Sequence, residues 1–189
     1  IKVFDVETEE EMPSKQIKIA SNLSPLILCY MHDEPQGATN IIVGTDAGIL
    51  FYNTKTCSLE VYYKTKHLIT GIKVSTSSRI RHIYFLEYGG IFRIMDPSSK
   101  KVMKETKIGY TALDLQFWDD NTYVICGDCQ DCGFKLLYDG KNNLINNFPN
   151  SHNKVVIGVS TVDSHPFGKC LVTLGADNKI KLFTQNRFA

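Results

Sequence analysis

Residues 90–99 read GIFRIMDPSS. Five residues of strand character, Ile91 to Met95, run into Asp96 and then a Pro-Ser-Ser turn signal. The same phrase recurs along the chain: IKVFDVET at 1–8, GILFYNTKT at 48–56, GFKLLYDGKN at 133–142 and KIKLFTQN at 179–186. The polar residues in register are Asp5, Asn53, Asp96, Asp139 and Thr184, separated by 48, 43, 43 and 45 residues. A strand-built repeat of about 43 residues is the period of a propeller with four strands per blade. Four of the five copies follow a tight turn: GTDAG (44–48), EYGG (87–90), GDCQDCG (127–133) and GADN (175–178).

The rest of each period fills in around that strand. Apolar runs at 24–31, 69–75, 112–118 and 154–161 suit the innermost strands, and 40–45, 81–88, 122–127 and 170–175 the second strands. Runs at 17–21, 59–64, 101–107 and 144–148 carry more Lys, Glu and Asn, as an outer strand facing water should. The expected fold is all-β, a propeller of four-stranded antiparallel blades, with four to five blades or partial blades present. The implied boundaries are 1–22 for the end of a blade, then 23–65, 66–108 and 109–150 for blades, and 151–189 for an incomplete one.

Composition agrees with a packed domain: 43% of the 189 residues are hydrophobic and 22% charged, so a core can form. The net charge of +1 gives no field that draws the whole molecule to nucleic acid or anionic lipid. No apolar run is as long as a membrane span. The first residue is Ile1, no signal peptide is evident, and the chain is read as the C-terminal part of a larger propeller. The six cysteines are sparse for a disulfide scaffold, and several sit in apolar runs; the expectation is a reduced, intracellular protein, cytoplasmic or nuclear.

In these features the sequence resembles the WD-repeat family. That family places a Gly-His step before the inner strand, an Asp in the turn between second and third strands, and Trp-Asp at the end of the third. The last copy follows it best, with His152 in NSHNKVVIGV, Thr173 on the second strand, Asp177 in GADNKIKLF and Phe183 at the Trp position. The resemblance implies a structural His152–Asp177 hydrogen bond that Thr173 extends. His67 sits at the same offset 85 residues earlier, in a copy with EYGG where the turn Asp belongs. No copy has Trp-Asp; Phe-Asp, Tyr-Asn, Met-Asp, Tyr-Asp and Phe-Thr stand in its place.

The resemblance implies a non-catalytic scaffold that presents loops to other proteins in a complex, with no cofactor and no membrane partner. The loop face it assigns displays Asp46, His67, Tyr88, Gln130, Asp131, Asn150, Asn153 and Asn178. The opposite face carries HDEPQGA (32–38), WDDN (118–121) and DSHPFG (163–168). An alternative role as a nucleic-acid-associated subunit rests on Lys100, Lys101, Lys104 and Lys107, with Arg79 and Arg81 nearby. The candidate metal ligands are Cys126, Cys129 and Cys132 of CGDCQDCG, but a structural zinc site wants four. Cys126 lies in an apolar run, so the stretch is read as a polar turn with incidental thiols. No GxSxG elbow or phosphate loop is present.

Overall fold

The computed structural model describes the chain except residues 3, 6, 13–15, 34–37, 76–80, 139–142, 167 and 185–189. Fifteen strands are present among the described residues: β1 (Pro25–Asp33), β2 (Ala38–Thr45), β3 (Gly48–Asn53), β4 (Ser58–Lys64), β5 (Ile69–Val74), β6 (Ile83–Glu87), β7 (Ile91–Asp96), β8 (Lys101–Lys107), β9 (Thr111–Phe117), β10 (Thr122–Asp128), β11 (Phe134–Tyr138), β12 (Asn143–Phe148), β13 (Val156–His165), β14 (Gly168–Gly175) and β15 (Ile180–Thr184). They form four sheets in simple meander order, β1-β2-β3-β4, β5-β6-β7-β8, β9-β10-β11-β12 and β13-β14-β15. No helix among the described residues is long and apolar enough to cross a membrane.

The chain divides into two compact units, Ile1–Ile69 and Thr70–Ala189. In the first, the β1–β4 sheet buries Ile42, Val43, Ile49 and Leu50, and Phe51 stacks on Tyr62 with centroids 4.8 Å apart. The described residues of 1–22 do not form the two strands expected there. Their described residues hold one antiparallel bridge, Phe4 to Glu11, and Ile1 and Ile17 exchange backbone hydrogen bonds.

The second unit is built by sheet-on-sheet packing. Tyr84, Leu86, Phe92 and Ile94 pack on Ala112, Leu115, Tyr123 and Ile125. The other side of the same β9–β12 sheet sends Val124, Cys126, Phe134 and Leu136 against Val156, Val159, Leu171 and Phe183. The middle sheet is therefore apolar on both faces, which explains why its strand TYVICG is a continuous apolar run rather than an alternating one. Trp118 closes this second layer, 8% exposed, with Lys169 Nζ 5.3 Å from its ring.

The face pattern corrects one detail of the repeat. Counting by the polar residues aligns Ile91 with Phe134, yet the residues that face the following sheet are Phe92 and Ile94 in one case and Phe134 and Leu136 in the other. The two third strands are out of step by one residue. The odd residue falls after the facing set, since Asp96 stands two positions beyond Ile94 and Asp139 three beyond Leu136, and one residue of slip exchanges the faces.

Candidate functional site

The turns that join second to third strands, and outer to next inner strands, emerge from one end of a meander sheet. In the second unit they are bonded to one another. Ile108 N–H donates to Gly90 O (2.8 Å), Asn150 N–H to Asp131 O (2.6 Å), His152 N–H to Cys132 O (3.1 Å) and Ala176 N–H to Val155 O (2.8 Å). The result is a stiff rim. Gly90 is required there because φ is +78° and an added Cβ would strike the Tyr110 carbonyl.

His152 anchors that rim. Its Nδ1 lies 2.9 Å from Asp177 Oδ1 and its Nε2 2.8 Å from Thr173 Oγ1. A carboxylate only accepts, so Nδ1 carries the proton and Nε2 accepts from the Thr173 hydroxyl. Asp177 Oδ2 also accepts from Asn153 N–H (2.9 Å) and Oδ1 from Lys179 N–H (3.2 Å). These bonds, the Asn153 amide first, hold the Asp177 carboxyl down to about 2. Gly175 leaves room for the imidazole, since a Cβ would overlap the ring. His67 does not repeat this arrangement: it is exposed, and its N–H is held by Thr65 Oγ1 at 3.1 Å.

The remaining rim residues differ in how freely they face solvent. Tyr88 is 54% exposed at the tip of its turn. Gln130 and Asn153 are also exposed. Asn150 and Asn178 are exposed too, but stand at φ +55° and +61°, where Asn is favoured for backbone reasons. Asp131 is half-buried and turned inward, accepting from Gly133 N–H (3.2 Å) and Asn147 Nδ2 (3.1 Å). In the first unit Asp46 closes its own turn, exchanging bonds with Ser24 through Oδ1 (3.0 Å) and its amide (3.2 Å). Asp46 and His67 lie at one end of that unit's sheet, where Thr65 N–H meets Ala47 O at 3.1 Å.

The cysteine-rich turn is not gathered for a metal. Cys126 is wholly buried between sheets. Cys129 points back along the turn, donating to Gly133 O (3.2 Å) and accepting from Gly133 N–H (3.4 Å). Burial pushes its thiol up to about 11, so it is protonated at neutral pH. Cys132 sits at φ +48°. Among the described residues no three His, Cys, Asp or Glu side chains converge as a ligand set, and all six cysteines are free.

The lysine edge is likewise interrupted. On β8 the exposed positions are Lys101, Met103, Glu105 and Lys107, with Lys104 on the half-buried side. Glu105 Oε2 accepts from Arg93 Nε at 2.9 Å, and Arg93 also pairs with buried Glu87. Arg79, Asp139 and most of HDEPQGA lie outside the described residues.

Sequence reasoning passed over the links between inner strands. Thr70 donates to Ala112 O (2.7 Å), Val159 N–H to Asp114 Oδ2 (3.0 Å) and Gln116 Nε2 to Thr161 Oγ1 (3.2 Å). Each joins one sheet to the next, 42 to 45 residues on. Burial raises the Asp114 carboxyl, against the pull of Val159 N–H and Lys73. The signal was present in ALDLQFW, where Asp114 and Gln116 put two polar groups on one side of an otherwise apolar strand.

No protein-family profile and no characterised protein matches the chain by sequence. Among solved structures it is similar to the C-terminal WD40 domain of Sif2, with a TM-score of 0.66 at 17% identity. The match covers 88% of this chain and 44% of that one, so the chain spans less than half the length of its structural relative. With its meander sheets, its stacked faces and its buried His152–Asp177 bond, the chain has the fold of WD40 β-propeller blades.

Proposed function

We propose that the chain is a non-catalytic interaction scaffold whose stiff rim meets other proteins within a multiprotein complex. The observation that carries this reading is Tyr88, an aromatic side chain 54% exposed on a hydrogen-bonded turn, with Gln130 and Asn153 exposed on neighbouring turns. A large aromatic held at a fixed position loses little freedom on binding and is a common anchor. His152, Asp177 and Thr173 have the connectivity of a hydrolase triad, but Thr173 is fully buried and His152 is 2% exposed; a nucleophile that substrate cannot reach supports a structural role. The six free thiols favour a reducing, intracellular setting.

The test is partner capture from extract by the wild-type chain and by Tyr88→Ala and Gln130→Ala variants, at low and high salt. Loss of the same partner in both variants with little salt dependence supports the rim. Capture of nucleic acid that falls steeply with salt moves the reading to the β8 lysines instead.

A further inference from the structure

We propose that the crevice between the β5–β8 and β9–β12 sheets docks an acidic peptide segment of a partner protein, taking one aromatic side chain between two lysines. This goes beyond the rim reading and uses a different surface, one framed by two complete four-stranded sheets. Phe92 and Ile108 line one wall, Tyr123 and Leu137 the other, and Lys107 and Lys135 stand one on each. Phe92 and Tyr123 meet at the bottom with ring centroids 5.0 Å apart. The crevice measures about 160 Å³, room for a single aromatic ring.

The two lysines border this apolar space without an anion. On β11, Phe134 and Leu136 turn to the β13–β15 sheet, which leaves Lys135 and Leu137 facing the crevice. Each third strand of the second unit carries one cation: Arg93 in β7, Lys135 in β11 and Lys181 in β15. Arg93 pairs with Glu87 and Glu105, and Lys181 caps the Ser151 carbonyl. Lys135 has neither kind of partner; its ammonium lies 4.8 Å from the centroid of the Tyr110 ring. Asp131 feels Lys135 at a distance, but its oxygens are taken by Gly133 N–H and Asn147 Nδ2. Lys107 is exposed at the end of β8. Among the described residues no carboxylate comes within ion-pair distance of Lys107 or Lys135.

The occupant's chemistry follows from charge and size. The space takes one ring, and the ammonium groups rise from opposite walls, so the segment that fits has a phenylalanine with an acidic residue on each side. A carboxylate set against an ammonium beside apolar side chains is screened less than the same pair in open water. The buried ring supplies the affinity, and the two charges fix which peptide enters and in what position. A phosphate backbone would meet the lysines but leave the apolar walls uncovered, which favours the peptide over a polynucleotide.

Titration of the isotope-labelled chain with a short peptide, one phenylalanine flanked by aspartate and glutamate, tests this through amide chemical shifts. The expected result is saturable shifts at residues 106–108, 125 and 135–137. Affinity should fall at least about tenfold when the peptide's phenylalanine becomes alanine. A chain carrying both Lys107→Gln and Lys135→Gln should lose a similar factor. The alanine peptide leaves the protein untouched, so that comparison holds whatever the double variant does to folding. Four results overturn the proposal: no saturable shifts, equal affinity for the alanine peptide, equal affinity in a folded double variant, or tighter binding of an oligonucleotide at the same amides. None of them involves Tyr88 or Gln130, so the rim reading stands or falls separately.

Discussion

At the scale of single residues, buried polar groups carry the predictions. Thr173 spends its hydroxyl proton on His152, so Thr173→Val strands one imidazole acceptor and should cost about 1–2 kcal/mol. His152→Ala adds a cavity to the lost bonds and should cost about 3 kcal/mol; urea unfolding measures both. Asp114 and Asp177 should act oppositely on pH dependence. The Asp177 carboxyl is held low, so its contribution is present above the ordinary carboxylate range and is lost as pH falls towards about 2. The Asp114 carboxyl is held high by burial. The folded state then prefers its protonated form, and stability falls as pH rises from the ordinary carboxylate range through the raised value. Asp114→Asn keeps an acceptor for Val159 N–H and should remove that fall, while leaving the acid limb unchanged. Melting temperatures of the two proteins across pH 2 to 8 decide it; parallel curves would show that burial at Asp114 is without consequence. The thiols sort by exposure as well. Cys57 is exposed, while Cys126, Cys129 and Cys170 are buried, so a thiol reagent should label Cys57 first and these three only on unfolding.

At the scale of elements, the repeated polar residue turns out to have a mechanical job. Asn53 Oδ1 accepts from Lys55 and Thr56 N–H (2.9 and 3.0 Å). Asp96 does the same for Ser98 and Ser99 (2.9 and 3.3 Å), and Asp5 for Glu7 and Thr8 (2.9 and 3.0 Å). Four residues after each stands a left-handed residue: Cys57 at φ +52°, Lys100 at +56° and Glu9 at +58°. The side chain starts the hairpin to the outer strand, and the left-handed residue completes it. The Phe4–Glu11 bridge stands in the same register to Asp5 as Met95–Val102 does to Asp96. Lys100→Gly should therefore stabilise by about 0.5–1 kcal/mol, because glycine adopts that φ without strain, and Asp96→Ala should destabilise, because the turn loses its side-chain acceptor. Opposite shifts in the urea midpoint are the expected outcome; equal ones would remove the turn from the account. This is also where sequence was most informative. The Asx residue is local, so its spacing exposed the period and nearly every strand. The phase of the third strands was not local. It depends on one residue more between Leu136 and Asp139 than between Ile94 and Asp96, and the facing set, Phe92 and Ile94 against Phe134 and Leu136, appears only when sheets pack. The rim divided in the same way: turn-formers such as Asn150 and Asn178 have the same letters as contact residues, and only φ separates them.

At the scale of the whole molecule, each unit has its own account, and the second is a stack. Its middle sheet is covered on both faces, by Tyr84 and Phe92 on one side and Val159 and Phe183 on the other. Among the described residues its last sheet buries Leu171 and Phe183 on one face, while Leu174, Ile180 and Leu182 on the other face are 42%, 73% and 44% exposed. In a repeat architecture stability is the sum of what each repeat holds and what its neighbours add. Opening β15 exposes little new apolar surface, whereas opening β10 uncovers Tyr123, Val124, Ile125 and Cys126, all wholly buried. Amide exchange should therefore be slowest in β10 and β11 and markedly faster in β15, with β14 between them, because local opening free energy follows buried apolar contact. Phe134→Ala, at the centre of the joint between the last two sheets, should cost about 3–5 kcal/mol and speed exchange in β13–β15 more than in β6 and β7. If exchange in β15 is instead as slow as in β10 and the substitution slows folding of all three sheets together, the stack behaves as one cooperative block. The last sheet would then owe its stability to something other than the single face that Phe134, Phe148 and Phe183 cover.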